Sequence, residues 1–229
     1  MKHLMLAAAI LCAPLSAGAA TLNGTFTVQA ANVTNLNRAQ SQATIGNFNA
    51  ARSGDLGGEN STSNVADFTY TGKLDFRVLG PQRAEYSIGD WLATGTGFSD
   101  LVGSFANLQL SFPNINGPRG GTATTTFFLF TLNATLTPGT FTVKHDDGIA
   151  IFDDRILRGG NVGPTPETTS FVNNFDGGVF SILYVATNGN PSVLEVNTTA
   201  AVVPLPAGGL LLLSGLGAML FARRRRAAA

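Results

Sequence analysis

The sequence predicts an all-β chain, an antiparallel β-sandwich, and three observations carry that expectation. Apolar and polar residues alternate in several short segments. The 27 glycines and 10 prolines supply turns between them. No segment shows a convincing helical period. With 229 residues, 44% hydrophobic and 12% charged, the chain can bury a sizeable core and lacks the composition of a disordered one. One domain, over residues 21–200, accommodates the strands.

The clearest alternation runs through Phe68, Tyr70, Gly72, Leu74, Phe76 and Val78, and reads as one strand with a buried face. Phe128, Phe130, Leu132, Ala134 and Leu136 repeat it, and Leu108, Leu110 and Phe112 do so briefly. Thr137-Pro138-Gly139 turns the chain into Phe141, Val143 and His145, and Asp146-Asp147-Gly148 turns it again into Ile149 and Ile151. Read locally, these are two successive hairpins, a meander. Val179 to Val185 is apolar on both faces, as a central strand is, and Pro191 to Val196 is the last strand. Residues 30–64, crowded with Asn, Ser, Ala and Gly, read as a long polar surface excursion holding one strand at most.

Charge and composition exclude several chemistries. The formal net charge is +0, but all 14 acids lie between Asp55 and Glu195, while five of the 14 bases are Lys2 and Arg223 to Arg226. The middle therefore carries 9 bases against 14 acids, a net of −5, which argues against a nucleic-acid partner. Cys12 is the only cysteine and sits in the N-terminal apolar run. A processed chain thus has neither a disulfide nor a catalytic thiol. His3 and His145 are the only histidines, too few for a His-rich metal site.

The ends read as addresses. Met1 to Ala20 has a positive start at Lys2, an apolar stretch from Leu4 to Leu15 and small residues Ala17-Gly18-Ala19, the three parts of a secretory signal cut near Ala19 and Ala20. At the other end, Val203, Pro204, Leu205, Pro206, Ala207 and Gly208 precede an apolar run to Ala222 and the cluster Arg223, Arg224, Arg225 and Arg226. A transmembrane helix over about 207–222 is expected, with the arginines holding the C-terminus in the cytoplasm. Motif, apolar run and arginine cluster together resemble the VPLPA-CTERM variant of the PEP-CTERM sorting signal, over residues 201–229. That resemblance implies an exosortase, a membrane-embedded cysteine transpeptidase, cutting near the motif. It also implies a Gram-negative host that makes exopolysaccharide and biofilm matrix. The chain would then be exported, transiently membrane-anchored, and finally at the cell surface or outside it.

The densest group of ionisable residues is Phe141 to Asp154, which holds Lys144, His145, Asp146, Asp147, Asp153 and Asp154. An apolar strand, Asp-Asp-Gly, and a second apolar strand ending in an Asp-Asp turn resemble the PA14-like sandwich family. The likeness continues through Pro164 to Thr169 and the segments Phe180 to Tyr184, Gly189 to Pro191 and Leu194 to Val196. In the carbohydrate-binding branch of that family, adjacent aspartates hold a calcium ion that coordinates sugar hydroxyls, which implicates Asp146 and Asp147. Calcium needs six to eight oxygens, and Asn173, Asn174, Asp176, Asn188 and Asn190 are candidates to add some. The alternative is turn chemistry: the aspartates bond local backbone and Gly148 permits positive φ. A binding site predicts an exposed aspartate cleft; turn chemistry predicts carboxylates capped by backbone N–H groups.

No catalytic residue is assigned. Neighbours on a strand point to opposite faces, so His145 and Asp146 make no dyad, and His145 should end the buried face. Asp153 and Asp154 lie a strand's length from Asp146 and Asp147, beyond glycosidase spacing. Trp91 is expected in the core, with sugar stacking as the alternative. The function expected is a non-enzymatic binding module for exopolysaccharide or a matrix protein, with calcium as the candidate cofactor; the alternative is a purely structural surface or matrix component.

Overall fold

The computed structural model describes residues 18–80, 86–96, 104–112 and 123–203. Two antiparallel sheets pack face to face. The first is built on β1 (Ala20–Thr21), β4 (Asp75–Val78), β6 (Gly139–Asp146), β9 (Thr168–Phe175) and β11 (Ser192–Thr198), in the order β1-β11-β6-β9 with β4 also beside β11. The second runs β3-β2-β5-β10-β7-β8, from β2 (Asn23–Thr34), β3 (Ser63–Lys73), β5 (Thr124–Leu136), β7 (Ile149–Asp153), β8 (Ile156–Gly159) and β10 (Gly178–Ala186). The predicted all-β sandwich is the observed architecture.

Alternation explains the core. Phe128, Phe130, Leu132 and Leu136 of β5 are buried, facing Phe141, Val143, Leu194 and Val196 from the first sheet within one apolar cluster. A continuous aromatic stack joins the sheets: Trp91 lies 4.6 Å from Phe76, 4.9 Å from Phe128 and 5.3 Å from Tyr184 between ring centroids. The Trp91 indole N–H donates to the carbonyl of Ser192 at 3.2 Å, so the one polar atom of this buried ring is satisfied. Trp91 is a core residue and offers no face to a sugar.

Four expectations change in the tertiary structure. The alternating run from Phe68 to Val78 is two strands in different sheets, β3 beside β2 and β4 beside β11. It breaks at Leu74, and the period survives the break because Tyr70, Leu74, Phe76 and Val78 all point into the same core. The turns at Thr137-Pro138-Gly139 and Asp146-Asp147-Gly148 are not hairpins. β5, β6 and β7 do not pair in succession; each turn carries the chain across from one sheet to the other. Leu108 to Phe112 forms no strand, only single bridges at Gln109 and Phe112.

The fourth change concerns residues 30–64, read as a polar excursion. Ala30 to Thr34 complete β2, β3 begins at Ser63, and between them lies α1 (Ile45–Ser53). Thr44 caps its start by accepting from the Asn47 N–H, and Gly54 ends it at φ 82°, a left-handed conformation natural to glycine. Phe48 and Ala51 of α1 cover Val33, Phe127, Leu183 and Val185 on the outer face of the second sheet. That cover is why β10 is apolar on both faces. A second short helix, α2 (Ile88–Ala93), starts at a capping box between Ser87 and Asp90 and delivers Trp91 to the core.

Trp91→Ala should lower the unfolding free energy of a fragment spanning residues 20–203 by about 3–5 kcal/mol, as large buried aromatics do. Chemical denaturation measures it, and a loss under about 1 kcal/mol would show that the Trp91 stack does not hold the two layers together.

Candidate functional site

Asp146 ends β6 in the first sheet and Ile149 begins β7 in the second, so Asp147 and Gly148 alone bridge the two layers. Gly148 is needed there for space, not for positive φ: it is absent from the left-handed glycines. A Cβ on it would meet the Val162 carbonyl oxygen at 2.5 Å. Ala43 and Val185 also bond across this corner, the Ala43 N–H to the Val162 carbonyl and the Val185 N–H to the Gly148 carbonyl, at 2.8 and 2.9 Å.

Both aspartates are buried, at 6% and 1% relative exposure. No exposed aspartate cleft exists at this corner. The Asp147 carboxylate accepts the Thr187 N–H at 2.8 Å on one oxygen and the Asn188 side-chain amide at 2.9 Å on the other. Asp146 accepts from the backbone of Asp147 and Glu167. The caps expected of turn chemistry are therefore present. They come from two other loops, residues 160–167 and 187–191, as well as from local backbone.

The caps do not offset burial. Desolvation pushes the Asp146 carboxyl up to about 7, helped by the charge of Glu167 and opposed by the N–H bonds. Asp147 is raised well above the ordinary carboxylate range by burial first and by the charge of Asp146 second. Among the described residues neither aspartate has an ion pair; nearby Lys144 is bonded to Glu167 instead, at 2.5 Å. Two adjacent carboxyls thus share a desolvated corner with neutral donors only.

His145 is buried, with Nδ1–H donating to the Asp147 carbonyl at 2.5 Å and Nε2 accepting from the Ser170 hydroxyl at 2.8 Å. A carbonyl can only accept, which sets this tautomer. Burial lowers its pKa, and a neutral ring held at both nitrogens is a structural brace. Its side chain points away from that of Asp146, as strand alternation requires.

Of the oxygen donors named from sequence, Asn188 reaches Asp147 directly, and Asn190 sits in the same buried loop. Asn173, Asn174 and Asp176 do not belong to this corner. β9 pairs with β6 so that Thr168 faces His145 while Phe175 faces Gly139, which carries those three to the opposite end of the sandwich. Asp176 instead shares Arg158 with Asp153, at 2.8 and 3.1 Å. Asp153 and Asp154 lie at the far end of β7, about 20 Å from Asp147 at 3.4 Å per residue, beyond the reach of paired acid–base catalysis. Sequence reasoning missed Thr187 and the Glu167 backbone, which come from loops, and Ser170, which comes from β9; all three reach the corner only in the fold. Among the described residues no group of three or more His, Cys, Asp or Glu could hold a metal. Ala19, Ala20 and Val203 are described, whereas most of the leader, the arginine cluster and Pro204 to Gly208 lie outside the described residues. No helix among the described residues is long and apolar enough to cross a membrane, and the expected span over 207–222 also lies outside them.

No family model matches the chain, and no curated protein matches it. Among solved structures it is similar to a PA14 sugar-binding domain from an RTX adhesin, with 15% identity and a TM-score of 0.40 over 79% of this chain and 94% of that one. It is similar at 14% and 0.39 to the PA14 domain of the antifreeze protein MpAFP, over 78% of this chain and 85% of that one. A GH31 α-xylosidase from Xanthomonas citri is similar at 10% and 0.34, over 84% of this chain but 16% of the xylosidase.

The raised carboxyls set a pH dependence. Folded-state values above the unfolded value mean that the folded chain holds these protons more tightly. Their stabilising contribution is complete below about pH 4 and is lost as pH rises through about 7. His145, lowered, acts in the opposite sense only below its unfolded value near 6.5. Calcium-free protein should therefore lose thermal stability between about pH 6.5 and 8.5, and Asp146→Asn should flatten that slope. A melting temperature that is level or rising across this window in the unsubstituted protein would refute the charge assignment.

Proposed function

We propose that this chain is an exported, non-enzymatic β-sandwich module of the cell surface or matrix that engages polysaccharide and holds a calcium ion at the buried pair Asp146 and Asp147. The observation that carries the calcium reading is the pair of adjacent buried carboxyls without a cationic partner among the described residues. Such a pair must either keep its protons or take up a cation. A divalent ion would discharge both carboxylates at once. Asp146 and Asp147 would supply the carboxylate oxygens for a hard cation, and Asn188, which now turns its amide N–H to Asp147, would have to rotate to offer its oxygen. Backbone carbonyls of the converging loops or enclosed water would have to complete the six to eight oxygens calcium requires. The sugar itself is inferred from the PA14-like sequence pattern around Asp146 and Asp147.

A second reading has its own observation. Both carboxylates are capped by N–H groups and closed from solvent, as they would be in a structural matrix component whose corner is turn chemistry. Neither reading needs catalysis, since the carboxyl pairs stand at opposite ends of β7. Export and exosortase processing are supported by the tripartite leader and by the ordered motif, apolar run and arginine cluster of residues 201–229. Anchoring is then transient, and the processed module ends near Val203.

A calcium titration followed by thermal unfolding separates the two readings. At 100 times its dissociation constant, calcium should add about 2.7 kcal/mol of stability to the fragment of residues 20–203. Asp146→Asn and Asp147→Asn should lose that response while still folding, because each amide removes a buried charge and keeps an acceptor. Polysaccharide retention should then depend on calcium and vanish with a chelator. No response to calcium in a folded wild-type fragment would leave the structural reading standing.

A further inference from the structure

Both ends of the described chain leave the sandwich at the same place. Ala20 pairs with Thr198 and Thr21 with Asn197, so the segment that follows the leader lies beside the end of the last strand. After β11 the chain stays attached. The Thr137 N–H donates to the Ala201 carbonyl at 2.8 Å, the Val203 N–H donates to the Thr135 carbonyl at 2.9 Å, and Val202 bridges Leu136. Residues 201–203 thus occupy the side of β5 that β2 leaves bare, since the β2–β5 ladder begins only at Phe26 and Leu132. The chain is held to the fold up to Val203.

This exit end is opposite the aspartate corner. β6 starts beside it at Gly139 and reaches the corner at Asp146, seven residues later, a length of about 24 Å at 3.4 Å per residue. Between Val203 and the apolar run that begins at Ala207 stand only Pro204, Leu205 and Pro206. Four Cα steps reach at most about 14 Å. The tether is therefore shorter than the sandwich is long.

We propose that, while anchored, the sandwich stands on the membrane by its exit end and turns the end that carries the Asp146–Asp147 corner outward. This deepens the function proposed above and rests on its reading of residues 207–222 as a membrane anchor. A tether of that reach, starting from residues bonded to β5, cannot turn the corner down to the lipid. The leader's attachment point at Ala20 adds a second constraint of the same sense, because before signal cleavage both membrane-bound segments emerge from one end.

The test uses the full chain in membranes of a host without a processing enzyme, with Cys12→Ala as background. A fluorophore is placed at Asn174→Cys, on exposed β9 near the exit end, or at Glu59→Cys, in the exposed loop before β3 near the corner end. Quenchers carried on lipid headgroups should remove most of the emission at position 174 and little at position 59. A Gly/Ser insert of about 20 residues between Val203 and Pro204, with a span of about 25 Å, should erase the difference. Equal quenching at both positions, or the reverse order, in chains that sediment with the membrane would overturn the orientation. Chains that leave the membrane fraction altogether would overturn the anchor, and the orientation with it.

Discussion

The aromatic stack of Phe76, Trp91, Phe128 and Tyr184 is the contact on which the other features depend. Phe76 belongs to the first sheet, Phe128 and Tyr184 to the second, and Trp91 comes from a short helix wedged between strand segments. Rings of this size each bury well over about 100 Å², so this one column holds the layers at their spacing. It also reaches the candidate site. The Tyr184 hydroxyl, at the edge of the stack, donates to the Asp146 carbonyl at 2.6 Å, and the placement of the corner is thereby tied to the packing of the core.

The corner itself opposes the tendency of the core. A sandwich buries apolar side chains because water gains by their removal; here it buries two carboxyls next to one another, braced by His145 on one side and by the Thr187–Asn188 loop on the other. The first-sheet strand β6 ends in charge, and the second-sheet strand β7 begins beyond Gly148 with Ile149 and Ala150. That abrupt change is the mark of a chain crossing between layers. At the other end of β7 the solution differs: Asp153 is buried too, but Arg158 lies against it. Arg158 supplies the cationic partner that the Asp146–Asp147 pair lacks among the described residues.

The two ends of the molecule are consequently unlike. One collects both chain exits, the β5–β6 crossover and the Arg158 ion pairs; the other collects the aspartate corner, the loops that cap it and the approach to α1.

Residue pattern by itself determined the sandwich class, most strands and the buried faces of β5, β6 and β10, since a period of two has one structural meaning whenever one face must be dry. It also singled out Asp146 and Asp147 and placed Trp91 in the core. It could not assign strands to sheets. A turn such as Thr137-Pro138-Gly139 has the same local chemistry whether the next strand pairs beside the last or crosses to the other layer, and Phe68 to Val78 keeps its alternation through such a crossing. Helix α1 was invisible because only Phe48 and Ala51 of its nine residues are buried, too few to show a period. Exposure at the corner, the exclusion of Asn173, Asn174 and Asp176 from it, and the true reason for Gly148 were decided by tertiary structure alone. Each depends on which distant loop arrives to displace water, and that is a property of the assembled fold.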